Sequence, residues 1–560
     1  MELSTLLLKR FESLNNLRNL NFNERLEAMS FIDHRTKGAS RSPSPVPEKV
    51  LNTAVSKLAV DSFVNYFQGN LVSPNQPWLS IRYEATSLQK QDEIPGANEF
   101  VGRLQDAVAS ELAVSNFYPE HRLSCKDEYV GAASAILIRN DDIRNVCVFE
   151  TLAPWDYWID VDQYGEMDTF FYKRRMSIAQ AYEVFEDKLP EWMVKILDKG
   201  DGFDTFYDFL LCMYPQKKMY SKSIFDKEKK FASVWMVLVS STGKNSSGKA
   251  EIIEKSGMDY IPVVFSCWDR DGDNPYGTCP VMRNLEEVKK ADILTYETFL
   301  AIQKINHQSW VGVANSLENF SDDPGSRNYV QSMDLAPKPL EVNQTVDGAM
   351  QMQNEQYAVI QKTFNNDLFS YLSRQENSKV FTATQVNAIK AEQLALLSAV
   401  YGNFQKKIEK IIKIVVLIMA EKGRLPKGSE NMTGKDMNEK AGKLRVVIDS
   451  TLSQELKAYT KRDANIAFLE QIAVFKNLQL EAPLNNVDMN ELIRGIGFGI
   501  GVDHKVIRDL SVVLQEQAMQ QQIAMQQMQQ QQALTESEIN RNNAGAANLN
   551  NANGANQYQR

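Results

Sequence analysis

Apolar residues recur at spacings of three and four from the start of the chain. Leu6, Leu7, Leu8, Phe11, Leu14, Leu17, Leu20, Leu26, Met29 and Phe31 predict an amphipathic helix over 3–31, or two shorter ones broken near Asn21 and Asn23. Ser40-Arg41-Ser42-Pro43-Ser44-Pro45-Val46-Pro47 follows, and its prolines predict an extended linker. A helix over about 48–68 is expected next, with Val50, Val55, Leu58, Ala59, Val64 and Phe67 inward. Pro74, Pro77 and Trp78 end it and lead into a strand at 79–83. Val101, Leu104, Val108, Leu112 and Val114 mark a further helix over about 98–117.

From about 128 to 278 the apolar period changes to two, which predicts strands at 132–138, 146–150, 157–161, 167–172, 231–240, 250–255 and 261–268. Gln163-Tyr164-Gly165-Glu166 reads as a hairpin turn in which Gly165 supplies a positive φ. Ser177 is placed to cap a short helix ending before Pro190. Helical spacing then returns. Residues 280–308 contain no internal proline or glycine and predict a rod of about 40 Å. A loop-rich insert spans 309–344, and a second long helix runs over 346–373. A polar loop, 374–381, leads to a third long helix over 384–422, stopped by Gly423 and Pro426. A short strand at 445–448 and helices at 454–477 and 486–496 come next. A glutamine-rich helix is read at 503–535, and the Asn/Ala/Gly tail to 560 has no apolar period, so it is expected to be disordered. No repeat of 20–50 residues is visible, which argues against a solenoid.

Composition narrows the function classes. At 43% hydrophobic residues the chain can build a sizeable core, so wholesale disorder is excluded. The five cysteines, Cys125, Cys147, Cys212, Cys267 and Cys279, are dispersed and form no CxxC, so neither a zinc ribbon nor a disulfide framework is read and a reducing compartment is expected. His34, His121, His307 and His504 form no close pair, and a histidine metal site or triad would have to be assembled by folding. Met1-Glu2-Leu3-Ser4 opens a charged amphipathic stretch and not a signal peptide. The longest apolar run, 411–420, is interrupted by Lys413 and is about half the ~20 residues of a membrane span, so it reads as a buried helix. The formal charge of −9 argues against a protein that grips nucleic acid.

Three motifs fall short of chemistry. Gly243-Lys244-Asn245-Ser246-Ser247-Gly248-Lys249 has phosphate-loop spacing, but Ala250 stands where Ser or Thr would hold magnesium and a strand follows in place of a helix. Asp269-Arg270-Asp271-Gly272-Asp273 begins like a calcium loop but lacks the glycine and the bidentate glutamate, since Asn274 and Pro280 occupy those positions. It reads as an Asp/Gly turn that opens a helix at Pro280. Gly495-Ile496-Gly497-Phe498-Gly499-Ile500-Gly501 reads as a connector, since it follows a helix where a dinucleotide loop would follow a strand. Between 515 and 532, eleven of eighteen residues are glutamine, with Met519, Ile523, Met525 and Met528 interspersed. One such helix is marginal in water; a ring of copies would pack the apolar stripe, and the alternative reading is a low-complexity tail. No nucleophile elbow, paired-carboxylate site or kinase set is present.

Several local stretches carry a family resemblance. They are Pro47-Glu48-Lys49-Val50-Leu51-Asn52-Thr53 with Pro77-Trp78-Leu79, the turn Asp162-Gln163-Tyr164-Gly165-Glu166, Asp271-Gly272-Asp273-Asn274-Pro275-Tyr276-Gly277 leading into Asn284-Leu285-Glu286, and Val380-Phe381-Thr382-Ala383-Thr384-Gln385-Val386. In this order, over most of 45–510, the chain resembles the portal, or head-to-tail connector, proteins of short-tailed, T7-like bacteriophages. The Pro-rich 40–47 segment and the glutamine-rich tail depart from that pattern.

The resemblance implies an α+β portal fold assembled as a homo-oligomeric ring, usually a dodecamer. In it, 1–278 is the wing, 279–308 the first stem helix, 309–344 the clip, 345–373 the second stem helix and 374–382 the tunnel loop. Residues 383–455 return to the wing, 456–535 form the crown with a possible barrel helix, and 536–560 are a disordered tail. It further implies a non-enzymatic channel protein of the virion, made in the host cytoplasm and placed at one capsid vertex. Its partners would be double-stranded DNA, the terminase large subunit, head-tail adaptor and tail proteins, and the major capsid and scaffolding proteins, with no cofactor, metal or membrane. The tunnel-loop residues are Arg374, Glu376, Asn377, Ser378 and Lys379. The clip residues for docking motor and adaptor are Glu318, Asp322, Asp323, Arg327, Asp334 and Lys338. With Glu341 counted, the insert holds five acids against two bases, a net −3. A channel through which DNA slides should neutralise few phosphates, because each neutralised phosphate strengthens binding. Two other classes compete: a scaffolding or internal virion protein without a DNA channel, which would lack the helix–insert–helix order, and a nucleotide-dependent packaging enzyme, which Ala250 disfavours.

Overall fold

The computed structural model describes residues 2–32, 35, 45–47, 49–83, 97–216, 229–239, 249–272, 274–312, 320–321, 323, 325–330, 332–340, 347–364, 383–426 and 444–448, and in the C-terminal region 516, 519–520, 522–537, 539 and 541. The protein is a mixed helix-and-strand fold. The first apolar stretch forms two helices, α1 (Leu3–Asn19) and α2 (Phe22–Ile32). Of the Pro-rich 40–47 stretch only 45–47 is described, and Val46 is buried there against the main core.

The next helix, α3 (Val55–Leu71), starts later than expected. The backbone N–H and side-chain amide of Asn52 donate to the Asp292 carboxylate at 2.7 and 3.1 Å, which spends that segment on a tertiary contact and not on helix. The buried face also differs from the predicted one. Ala59, Val60, Phe63, Val64, Phe67 and Leu71 point inward, whereas Val50 and Leu58 are exposed. After β1 (Leu79–Tyr83), α4 (Ala97–Val114) buries Val101, Leu104, Val108 and Leu112 and leaves Val114 exposed. A further helix, α5 (Phe117–Gly131), escapes the apolar period because its inward face holds His121, Ser124, Asp127 and Glu128.

Strands β2 (Ala133–Asp141), β3 (Val146–Leu152), β4 (Tyr157–Val161) and β5 (Met167–Ser177) follow. Gly165 sits in the β4–β5 turn at φ +78, and a Cβ there would also press on the Arg270 guanidinium, so only glycine fits. Ser177 and Gln180 form a capping box for α6 (Ile178–Phe185), worth about 1 kcal/mol. Then come α7 (Glu191–Asp198), β6 (Phe206–Pro215), β7 (Phe231–Val239), β8 (Lys249–Met258), β9 (Val263–Cys267), β10 (Asp269–Asp271) and β11 (Asn274–Thr278). The phosphate-loop-like stretch joins β7 to β8, which pair as antiparallel neighbours with Val239 opposite Lys249, so no helix N-terminus follows it. Asp271 pairs with Asn274 across a short hairpin, and Asp269 pairs with Arg283 at 2.7 Å.

Two antiparallel sheets result, β4-β5-β6-β7-β8 and β3-β2-β9. Alternation explains how they pack. Ala133, Ala135 and Leu137 of β2 meet Tyr157, Phe170, Leu211 and Met213 of the larger sheet, while Ile136 and Ile138 face the helical core. On the far face of the larger sheet, Leu210, Cys212 and Tyr214 pack under Leu7 and Leu14 of α1.

The predicted rod at 280–308 is broken. Asn284 leaves helical geometry at φ −117, ψ 22 while its side chain donates to the Pro280 carbonyl at 2.8 Å, giving α8 (Pro280–Arg283) and α9 (Leu285–Asn306). At ~1.5 Å per residue α9 is about 33 Å long. A two-residue ladder, β12 (Trp310–Val311) with β13 (Lys338–Pro339), is followed by α10 (Asp347–Thr363), α11 (Ala383–Glu421) and β14 (Leu444–Ile448). Gly423 at φ +67 lets Arg424 N donate back to Met419 O at 2.7 Å and stops α11 as expected. β14 pairs antiparallel with β1, Leu79 opposite Ile448, and closes the main core over Ile408, Ile411, Ile412 and Val415. No helix among the described residues is long and apolar enough to cross a membrane. The predicted helices at 454–477 and 486–496, the glycine-alternating 495–501 and the tail beyond 541 lie outside the described residues. The described positions between 516 and 541 are helical.

Candidate functional site

The candidate functional region is built on α9 and α10, which run antiparallel and are joined by the insert. Their interface is polar. Tyr357 OH lies 2.9 Å from Thr295 Oγ1, and Gln353 Nε2 donates to Tyr357 OH at 2.6 Å. Gln356 Nε2 donates to the Glu287 carboxylate at 2.8 Å. Thr53 Oγ1 reaches Tyr357 OH at 3.4 Å and Tyr129 OH donates to Phe364 O at 3.1 Å, which ties α10 to the α/β body, as the Asn52–Asp292 bonds tie α9.

Along α9, Leu285, Val288 and Ala291 are buried, but Ile293, Tyr296 and Phe299 are 55, 48 and 54% exposed. Spaced by three, these form one ridge along the helix. Met350, Met352 and Val359 are similarly exposed on α10. This ridge is the feature that sequence reading missed. Period alone places Ile293 and Phe299 among core candidates, and only Thr295, Gln353 and Gln356 at the helix contact signal that the buried seam is polar.

The β12–β13 ladder pinches the insert at its base, where Leu340 N donates to Ser309 O at 2.7 Å and the Trp310 and Phe320 rings meet at 4.7 Å. At the tip, Asn328 and Ser326 donate to Ser321 O at 2.7 and 2.8 Å, around Gly325 at φ +86. Of the predicted clip residues, Asp323 accepts from Ser321 Oγ at 2.8 Å and serves this turn. Arg327, Asp334 and Lys338 are exposed, with Asp334 in a 3-10 turn capped by Ser332 and Lys338 opposite Val311 in the ladder. They share the insert but form no ion pair with one another among the described residues. The insert also exposes Tyr329 and Met333. Glu318, Asp322 and Glu341 lie outside the described residues, as do the tunnel-loop residues Arg374, Glu376, Asn377, Ser378 and Lys379.

One buried cluster has the residue types of a nucleophilic centre. Cys125 Sγ lies 3.8 Å from His121 Nε2, and Lys407 Nζ is 2.6 Å from Glu128 Oε1 and 3.9 Å from Cys125 Sγ. Ser134 donates to Glu128 at 2.6 Å, and Ser266 also bonds to it. Burial pushes the Cys125 thiol up to about 12, and burial together with the Lys407 charge holds His121 well below its usual value. A protonated thiol sealed beside a neutral imidazole is not an activated nucleophile. Burial alone would favour neutral Lys407, but the Glu128 carboxylate at 2.6 Å more than offsets it and the pKa ends above the ordinary lysine value. The cluster is an internal anchor that fixes α11 to α5 and β2.

The family model described as bacteriophage head to tail connecting protein matches residues 4–507, nearly the whole chain. No curated protein matches the chain. On the family match the chain belongs to the bacteriophage head-to-tail connecting protein family, a family of structural portal proteins of the virion.

Proposed function

We propose that the chain is the subunit of a portal ring, usually a dodecamer, at one capsid vertex. The observation that carries this reading is the ridge of Ile293, Tyr296 and Phe299 on a helix pair in a head-to-tail connecting protein. Contiguous apolar surface left in water marks an interaction face. A contact between two different faces of identical subunits closes into a ring when its rotation permits. In this reading α9 and α10 are the stem and the insert is the clip, which docks the terminase motor during packaging and then adaptor and tail proteins. The body formed by 1–278 and 383–455 is the wing, against capsid and scaffolding proteins. Residues 374–382 are the tunnel loop, 456–535 the crown and 536–560 a tail. DNA enters through the ring during packaging and leaves through it on ejection.

The net charge of −9 fits this role better than it fits a DNA-gripping protein. A bore that neutralises few phosphates lets the duplex slide. Arg374 and Lys379 are the tunnel-loop cations available for transient phosphate contact. Replacing both with alanine is expected to slow DNA packaging while leaving ring formation intact. Unchanged packaging by rings of the double variant would remove that role from the loop.

A further inference from the structure

A groove of about 320 Å³ opens between the β4–β5 turn, the β9–β11 region and one face of α11. Asn403, Lys406, Lys407 and Lys410 lie on that helix face, and Arg270 stands opposite. Two of the cations are spoken for, Lys407 by Glu128 and Lys410 by Glu166. Asp162 accepts from the N–H groups of Tyr164 and Glu166 in the hairpin turn. Among the described residues Arg270 donates to the Gly165 carbonyl at 3.0 Å and makes no ion pair, and Lys406 is exposed and makes none either. The Nδ2 of Asn274 is buried in the wall without a partner. Half-buried Phe265 and Met167 supply apolar surface. The groove therefore presents Arg270 and Lys406, two cations in no ion pair among the described residues, beside the single Asp162 carboxylate and around an apolar floor.

The matching surface is at the other end of β5. α7 ends on Asp198, the loop after it carries Lys199, Asp201 and Asp204, and between the last two Phe203 is 70% exposed. The loop is held rigid: Thr205 Oγ1 donates to Asp201 O at 2.7 Å, Ala179 N to Gly202 O at 3.1 Å and Ile178 N to Thr205 O at 3.2 Å. Asp201 and Asp204 make no ion pair among the described residues. The β4–β5 turn precedes Met167, and the acidic loop abuts Ser177, so the 11 residues of β5 separate them by about 36 Å. One copy cannot fill its own groove with its own loop.

We infer that this acidic, phenylalanine-tipped loop of one copy docks in the basic groove of the next, a head-to-tail contact that positions neighbouring subunits. The inference rests on the ring reading and adds to it a specific pair of faces. Asp201 and Asp204 meet Arg270 and Lys406, and Phe203 lies on Phe265 and Met167.

Charge reversal in trans tests it with the full chain. One variant carries Arg270→Glu and Lys406→Glu, the other Asp201→Lys and Asp204→Lys. Each alone is expected to need at least about tenfold more protein to assemble, as like charges are brought together. An equimolar mixture satisfies every contact, because each reversed loop meets a reversed groove, and should restore rings containing both chains in alternation. Native mass spectrometry reads this directly, with thermal melting to establish that both variants fold. Unimpaired assembly of either variant, or a folded mixture that stays unassembled, overturns the contact. If the wild-type chain forms no ring, the underlying reading fails. The Asp204→Cys/Lys406→Cys chain still decides the contact, since docking gives a ladder of disulfide-linked multimers that Asp204→Cys alone does not, and the absence of that ladder overturns it.

Discussion

Replacing Lys407 with methionine should destabilise the fold by about 3–5 kcal/mol, the usual cost of leaving one partner of a buried ion pair uncompensated. Lys407 and Glu128 are 2 and 6% exposed and 2.6 Å apart, so water cannot take the place of the lost ammonium. Ser134 and Ser266 still donate to Glu128, which keeps the cost from rising further. The double variant Lys407→Met/Glu128→Leu should recover a good part of the loss, because a matched apolar pair no longer buries a charge. Denaturant unfolding of the two variants checks both statements. A cost below about 1 kcal/mol for Lys407→Met would mean that α11 is held by its apolar face alone.

The second large effect is on assembly. Ile293→Asp with Phe299→Asp places two carboxylates on the α9 ridge. Both side chains are more than half exposed in one copy, so the folded monomer should change by only about 0.5 kcal/mol. Burying either carboxylate between subunits costs several kcal/mol unless it is paired, and every subunit of a ring carries the cost. Light scattering of the double variant should therefore report monomers at concentrations where the wild-type chain is oligomeric, with an unchanged melting transition. Wild-type oligomers from the variant would remove the ridge from the subunit contact.

How much of this was legible in the sequence depended on which face each element buries. A strand with one buried face, such as Val146–Leu152, where Cys147 and Phe149 are buried between half-buried neighbours, is read directly. β6, central in its sheet and buried on both faces, runs Phe209-Leu210-Leu211-Cys212-Met213 without alternation and was not anticipated. α5 was missed for the opposite reason, since its buried face carries the His121, Ser124, Asp127 and Glu128 side chains that look like surface. The order helix, insert, helix was legible, whereas the break at Asn284 depends on a side-chain bond to Pro280 O that no periodicity encodes. The apolar ridge on α9 was hidden because a period of three and four does not distinguish a core face from a subunit face. Of the residues proposed for the clip, Arg327, Asp334 and Lys338 are on its surface, while Asp323 is committed to its turn.

In the proposed role this chain surrounds DNA as a closed ring and neither grips it nor acts on it chemically. Negative-stain electron microscopy of the purified full-length protein tests it most directly. Closed rings with an axial hole wide enough for a DNA duplex are expected. A monomer, or an elongated dimer without a hole, at the same concentration would contradict it.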